Sequence, residues 1–412
     1  MKFGLLGEHI SHSFSKTIHG MIGDYSYSLF DVPKVKFADF MTKRAFKGIN
    51  ITAPYKRDII PYLDFLSDEV KKIGSANVAV FDNNGKLCGY NTDYRGFKYM
   101  IKKSGIEIAG KKVAILGNGG TSLTARVAVS DLGAREIVII SRKGENNFEN
   151  ISRHFDADII VNATPIGMYP NNGGCLVKLT DFRNLSGVID VIYNPLNTYL
   201  LLSAKEQGIS YTNGLFMLVA QAKFAAEYFL EKEIPDDIIE KIHEKLKKSF
   251  TNIILIGMAG CGKSSLAKLL GERLGREVID TDELVVEKAG MSIEKIFEEF
   301  GEAKFRELEA EICFDVSKLT GKIISTGGGM VLSQENRRVL SQNGFVVFID
   351  REPENLSREN RPLSKDIDSV RNLYNERYPI YSGYADKKID NNGDIAETFR
   401  KVIECSYENT CD

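Results

Sequence analysis

The sequence predicts an α/β protein carrying two nucleotide-binding folds in tandem, and three observations point there. Short β-branched apolar runs alternate with helical segments along the chain. Two glycine-rich loops each sit between such a run and a helical segment, and the 412 residues suffice for two to three compact units at about 150 residues per domain. The runs are "KVAILG" (112–117), "EIVIIS" (136–141), "DIIVNATP" (158–165), "GVIDVIY" (187–193), "NIILIG" (252–257), "KIIST" (322–326) and "FVVFID" (345–350). Near-continuous hydrophobic strands of this kind are buried on both faces, which predicts parallel sheets covered by helices. The segment "DDIIEKIHEKLKKSF" (236–250) places Ile238, Ile239, Ile242, Leu246 and Phe250 on one helical face and closes a domain. "TNIILIG" then opens a new strand at once, so a domain boundary is expected near residue 249.

Composition narrows the class. Lys plus Arg (54) balances Asp plus Glu (56) to a formal net charge of −2, which argues against a nucleic-acid or membrane-surface protein. The six cysteines show no C-x-x-C pair, as expected of a reducing compartment without a structural metal. No apolar run approaches the ~18 residues of a membrane span, so a cytoplasmic location is expected. His9, His12 and His19 crowd the N-terminus without a carboxylate in register, so no metal site is expected of them.

In the second half, "GMAGCGKS" (257–264) fits G-x-x-x-x-G-K-[ST] after a strand and before the helical "SSLAKLLGERLG". In that context backbone N–H groups ring the phosphates, Lys263 reaches the β/γ-phosphates and the Ser264 hydroxyl can ligate Mg²⁺. The phosphate-binding set is Gly257, Gly260, Gly262, Lys263, Ser264 and Ser265. "REVIDTD" sets Asp280 and Asp282 two residues apart, read as pointing the same way at a strand's C-terminal end, one for Mg²⁺ and one for an acceptor hydroxyl. "FRELEAE" puts Arg306 and Glu309 on one helical face. "STGGGMV" offers bare backbone at Gly327 to Gly329, and Arg361 ("ENRPLS") and Arg377 ("NERYPIY") add cations.

Together these motifs resemble shikimate kinase, a P-loop kinase similar to the adenylate kinases, over about residues 251–400. The resemblance implies that Asp282, Arg306, Gly328, Gly329 and Arg377 bind shikimate. It also implies a Mg²⁺ role for Asp280 beside Ser264, and catalytic roles for Lys263 and for Arg361 in a lid. Such roles suit phosphoryl transfer, which is mostly positioning plus charge neutralisation. The lid stretch "REPENLSRENRPLS", which includes Arg358, is shorter than the family usually has.

In the first half, "KVAILGNGGTSLTARVAVSDLG" reads strand, glycine loop, helix, with Gly117, Gly119 and Gly120 in the loop and Ser122 where G-x-G-x-x-G has its third glycine. The next strand ends in Ser141-Arg142-Lys143, and cations there favour the 2′-phosphate of NADP over the ribose hydroxyl of NAD. Upstream, "FKGINITAPYKRD" and "NTD" supply Lys56 and Asp93, a proton donor and its holder of the kind ketone reduction needs.

With "SHSFSKTIH", "GSANVAV", "NATPIGM", "DVIYNPLNT" and "NGLFMLVAQA", these segments resemble shikimate dehydrogenase along residues 1 to about 248. The resemblance implies that Ser13, Ser15, Asn50, Thr52, Asn77 and Gln221 bind substrate and that Lys56 and Asp93 are the catalytic pair. It places Gly119, Gly120, Arg142, Thr164 and Met217 on the NADP side. Lys16 stands where the serine motif usually has proline, and Ser141 where an asparagine commonly precedes the arginine.

The expected architecture is a substrate-binding α/β part (1–100 and 212–249) with a Rossmann-type NADP part (101–211), followed by a P-loop kinase (250–412). The expected function is bifunctional: NADPH-dependent reduction of 3-dehydroshikimate to shikimate, then ATP- and Mg²⁺-dependent phosphorylation of shikimate. The expected partners are the small-molecule substrates, with no nucleic acid and no membrane, and the sequence leaves the oligomeric state open. An alternative keeps the dehydrogenase and makes the second half a non-catalytic nucleotide sensor; another pairs quinate oxidation or phosphorylation of a different polyol.

Overall fold

A computed structural model describes residues 2–11, 13–357 and 366–408. His12, Arg358 and Arg361 fall outside the described residues. The chain packs into two compact units, one of residues 1–168, 174–193 and 203–245, the other of residues 169–173, 194–202 and 246–412.

The first unit holds two sheets. Strands β1 (Phe3–Gly7), β2 (Tyr27–Asp31), β3 (Gly48–Ile51), β4 (Phe65–Leu66), β5 (Val78–Phe81) and β6 (Leu87–Tyr90) form a six-stranded sheet in the order β2-β1-β3-β5-β6-β4. It is mixed: β1 pairs β2 and β3 in parallel, whereas β5 runs antiparallel to β3 and β6. The antiparallel pairing of β5 with β6 follows from the short "DNNGK" connection between them, too short for a crossover helix. The second sheet is wholly parallel, as expected of its apolar runs: β7 (Lys112–Leu116), β8 (Glu136–Ile140), β9 (Ile159–Asn162), β10 (Gly187–Asp190) and β11 (Ser210–Thr212) lie in the order β11-β10-β9-β7-β8. Val113, Ile115, Ile159, Val161 and Ile189 are fully buried in its core, each contributing about 1.5–3 kcal/mol of transfer free energy.

The second unit is built on a parallel sheet of β12 (Asn252–Ile256), β13 (Val278–Asp280), β14 (Ile323–Ser325), β15 (Gly344–Asp350) and β16 (Lys387–Asp390), in the order β13-β14-β12-β15-β16. The amphipathic helix spans Asp237–Phe250, and Thr251 alone precedes β12. Among the described residues no helix is long and apolar enough to cross a membrane.

Candidate active sites

The first unit contains a cleft of about 560 Å³. Asn50 reaches it from the end of β3, and Thr52 and Lys56 follow in the turn beyond that strand. Asp93 enters from the first turn of the Thr92–Ser104 helix, whose N-cap Asn91 accepts from the Tyr94 N–H. An acid in that turn is favoured by the positive end of the helix dipole. Gln221 and Met217 come from the Leu215–Leu230 helix. The two helices approach closely because Gly96 has no side chain: a Cβ there would stand 2.8 Å from the Met217 carbonyl oxygen.

The sequence-predicted residues therefore converge. Lys56 Nζ donates to Asp93 Oδ2 at 2.7 Å. Ser13 Oγ donates to Ser15 Oγ at 3.1 Å on the same wall. Asn77 is locked behind the cleft edge, accepting from the Thr92 N–H at 2.6 Å while its Nδ2 donates to Thr92 Oγ1. Gln221 donates to the Leu218 carbonyl at 2.8 Å. Glu8, Thr121, Met168 and Tyr193 also line the cleft; the last three lie in quoted motifs, which did not by themselves single them out for this site.

The glycine loop beside this cleft starts at Gly117 (φ 105°) and leads into the Gly120–Asp131 helix. Ser122 Oγ donates to the Gly117 carbonyl at 2.6 Å, so the hydroxyl at the third-glycine position ties the loop shut. Nothing lies within 4 Å of a would-be Cβ on Gly119 or Gly120, leaving the helix N-terminus open to an anion. Thr164 faces Gly117, with its Cγ2 2.9 Å from where a Cβ would be, and its hydroxyl donates to Asn162 Oδ1. Arg142 is exposed, and Ser141 turns the loop around it by donating to the Lys143 carbonyl at 2.7 Å.

The second unit has its own cleft, of about 460 Å³, lined by Gly260, Gly262 and Lys263 to Ser265 on one side. Gly257, Gly260 and Gly262 take φ values of 141°, 87° and 99° around the loop. Lys263 is buried and donates to the carbonyls of Gly257 (3.0 Å) and Met258 (2.9 Å). Ser264 Oγ donates to Asp280 Oδ2 at 2.7 Å, a pair of oxygen ligands suited to a hard cation.

Asp280 and Asp282 do not share a strand face. Asp280 ends β13 and caps the Thr281–Ala289 helix by accepting from the Asp282 N–H at 3.0 Å, so Asp282 sits in the first helical turn. Both still line the cleft. The chain turns because the N-cap side chain offers a helix start immediately after the strand.

Arg306 and Glu309 do share a helical face, with Nη1 to Oε2 at 2.6 Å. Burial pushes the Glu309 carboxyl up against the opposing pull of Arg306. Its Oε1 and the Nε of buried Arg377 have no hydrogen-bond partner among the described residues, two polar groups in one cleft wall that a small polar ligand could satisfy. The glycine triplet serves its neighbours as well as a ligand. A Cβ on Gly329 would stand 1.9 Å from Arg306 Nη1, and one on Gly327 2.4 Å from Asp282 Oδ1. Phe297 and Phe305 add an apolar wall; Phe305 opens the "FRELEAE" stretch, whereas Phe297 lies in no quoted motif.

Comparison with known proteins decides the family. Over 268 residues the chain is 35% identical to the shikimate dehydrogenase (NADP⁺) of Clostridium beijerinckii, aligning 60% of this chain with 98% of that one. The chain belongs to the shikimate dehydrogenase family. The family model for the shikimate dehydrogenase substrate-binding domain matches residues 5–79, and that for shikimate kinase matches residues 259–406. The chain is thus a fusion of a shikimate dehydrogenase with a shikimate kinase domain, an enzyme of two parts. Among solved structures it is similar to a chorismate mutase/shikimate 5-dehydrogenase fusion from Clostridium acetobutylicum, with TM-score 0.56 and 34% identity over 60% of this chain and 97% of the other. It is also similar to the shikimate 5-dehydrogenase of Thermus thermophilus in complex with NADP(H) and shikimate, with TM-score 0.54 and 26% identity over 60% and 99%.

Proposed function

We propose that the fusion reduces 3-dehydroshikimate to shikimate with NADPH in residues 1–249 and phosphorylates shikimate at its 3-hydroxyl with ATP in residues 250–412. The observation that carries the first assignment is the Lys56–Asp93 pair at 2.7 Å inside a cleft shared with Ser13, Ser15, Asn50, Thr52, Asn77 and Gln221. NADPH, when bound, supplies the hydride. The Lys56 ammonium stands ready to give a proton to the ketone oxygen, and Asp93 holds the ammonium in place. The open helix N-terminus at Gly119 and Gly120 suits a pyrophosphate, and exposed Arg142 suits a 2′-phosphate.

In the kinase half, Lys263 would exchange its two loop carbonyls for phosphate oxygens. Ser264 and Asp280 would hold Mg²⁺, whose charge offsets that of the phosphates. Asp282, Arg306 and Arg377, over the floor of Gly328 and Gly329, would hold the acid and its hydroxyls. The presence of Lys263, Ser264, Asp280, Asp282, Arg306 and Arg377 in one cleft favours a working kinase over a nucleotide sensor. The steps are consecutive, and ATP consumption would pull a reversible reduction forward. A cytoplasmic location belongs to this proposal on cysteine usage in the sequence, scattered and without paired spacing.

The test supplies purified protein with 3-dehydroshikimate, NADPH, ATP and Mg²⁺ and follows NADPH loss and ADP release separately. Both signals are expected. Absence of ADP when shikimate is added directly would remove the kinase assignment, and absence of NADPH loss would remove the other.

A further inference from the structure

Two residues of the kinase motifs have no part in the proposed chemistry, although both are buried beside the glycine floor: Thr281, inside "REVIDTD", and Tyr381, the last residue of "NERYPIY". Thr281 Oγ1 accepts from the Gly327 N–H at 2.9 Å. The Tyr381 hydroxyl donates to the Gly328 carbonyl. Further bonds of the triplet run onward along the chain, from the Met330 N–H to the Gly327 carbonyl and from the Leu332 N–H to the Gly329 carbonyl. The N–H groups of Gly328 and Gly329 take part in none of these, and both residues line the cleft.

Glycine leaves the backbone its widest freedom and has no side chain to anchor it, so a floor of three glycines must be held from outside. The two hydroxyls hold it from the very elements that carry charges of the cleft. Thr281 immediately precedes Asp282 at the start of the Thr281–Ala289 helix, and a Cβ on Gly327 would stand 2.4 Å from Asp282 Oδ1. Tyr381 lies one turn after Arg377 on the Ile367–Tyr384 helix, and its ring packs against Phe348 with centroids 5.2 Å apart. A floor that slid against either element would alter the spacing between the glycine backbone and a charge.

We propose that Thr281 and Tyr381 are positioning residues of the kinase: they hold the Gly327–Gly329 backbone in register with Asp282 and Arg377, so that the Gly328 and Gly329 N–H groups and those charges meet the oxygens of one acceptor together. The inference rests on the reading of this cleft as the acceptor site of a shikimate kinase. Neither hydroxyl belongs to the cleft lining; each acts through the glycines.

The experiment uses the full chain and measures ADP release, with shikimate varied and then with ATP varied, for wild type, Thr281→Val, Thr281→Ser and Tyr381→Phe. Valine keeps the shape of threonine and removes the acceptor, serine keeps the hydroxyl, and phenylalanine keeps the ring. Loss of one neutral hydrogen bond predicts a KM for shikimate raised roughly 3- to 10-fold in Thr281→Val and in Tyr381→Phe. In Thr281→Val the KM for ATP should change less, because the bond that is lost lies outside the phosphate loop. Thr281→Ser should return the KM for shikimate close to wild type. A role in stability alone would lower the urea midpoint or the kcat and leave the KM for shikimate unchanged; that result in folded variants overturns the proposal. So does a Thr281→Ser variant as impaired as Thr281→Val, or an equal rise in both KM values in Thr281→Val. Should Thr281→Val not fold, Tyr381→Phe, which loses a single oxygen, decides by its KM for shikimate. Wild type that releases no ADP from shikimate sinks the functional reading and the inference together, whereas active wild type with unaffected variants sinks the inference alone.

Discussion

Lys56 Nζ stands 2.7 Å from Asp93 Oδ2 although 37 residues separate them, one in a turn after β3 and the other in the first turn of a helix. Each is held by a different element, so either can be replaced without dismantling the other's support. Asp93→Asn keeps the shape and removes the charge. Positioned acid–base groups contribute about 10²–10⁴-fold, so Lys56→Ala should lower NADPH oxidation at least about 100-fold, and Asp93→Asn should also lower it, by a smaller factor. Phosphorylation of added shikimate, measured as ADP release, should be unchanged in both.

Lys263 is the converse case. Its ammonium is already drawn into the loop by the carbonyls of Gly257 and Met258. Lys263→Ala removes the cation that would meet the β/γ-phosphates, and the loss of one such stabilising group costs about 10²–10³-fold. ADP release should fall by that order while NADPH oxidation is retained, and a coupled assay on one preparation reads both.

Gly329→Ala tests the acceptor side. The added methyl would stand 1.9 Å from Arg306 Nη1, so the guanidinium must leave its position against Glu309. The KM for shikimate in the kinase assay should rise about 10-fold or more, the cost of a disturbed charge-assisted contact. The KM for ATP should change less, because the atoms the methyl meets first all belong to Arg306, outside the phosphate loop.

Arg142 bears on cofactor choice. It is exposed at the end of β8, on a loop turned by Ser141. Arg142→Ala should raise the KM for NADPH about 10-fold or more through loss of a charge-assisted bond, with little change in the rate with NADH. Equal effects on both cofactors would remove the 2′-phosphate assignment.

His19 predicts a pH dependence of stability. Its folded pKa of about 3 lies below the ordinary 6.5 because the ring is buried. Between those values the unfolded chain binds the proton and the folded chain does not, so stability rises with pH across that window. Acidification from 6.5 towards 3 therefore removes stability, by at most roughly 1.4 kcal/mol per pH unit from this group. His19→Gln should flatten the pH dependence of the urea midpoint in that range, with no change in slope above pH 7.

Much of the chemistry was legible because it is local. A strand, a glycine loop and a helix in succession announce both nucleotide loops, and the i, i+3 spacing of Arg306 and Glu309 gives their 2.6 Å contact. What was not legible depends on tertiary packing or on where one element yields to the next. The Asp280–Asp282 spacing fits a strand, yet Asp280 caps a helix and carries Asp282 into it. Strands β1, β2, β3 and β6 carry glycine or polar residues among their apolar ones, so they lack the near-continuous runs that mark β7, β8, β9 and β12, and the antiparallel pairing of β5 with β6 follows from a turn. The burial of His19 against Tyr27 is set by packing between helix and sheet, which no spacing encodes.

The glycine triplet limits how the kinase cleft could be retuned. At Gly327 and Gly329 the space a side chain would fill is already occupied by Asp282, Glu309 and Arg306. Bulk cannot be added to this floor in small increments, because the first methyl displaces a charged group. A change of acceptor would have to come from the carboxylates and guanidinium ions themselves. The cleft is therefore selected on the charge pattern of its guest more than on its size, and drift at these positions would abolish a preference sooner than shift it.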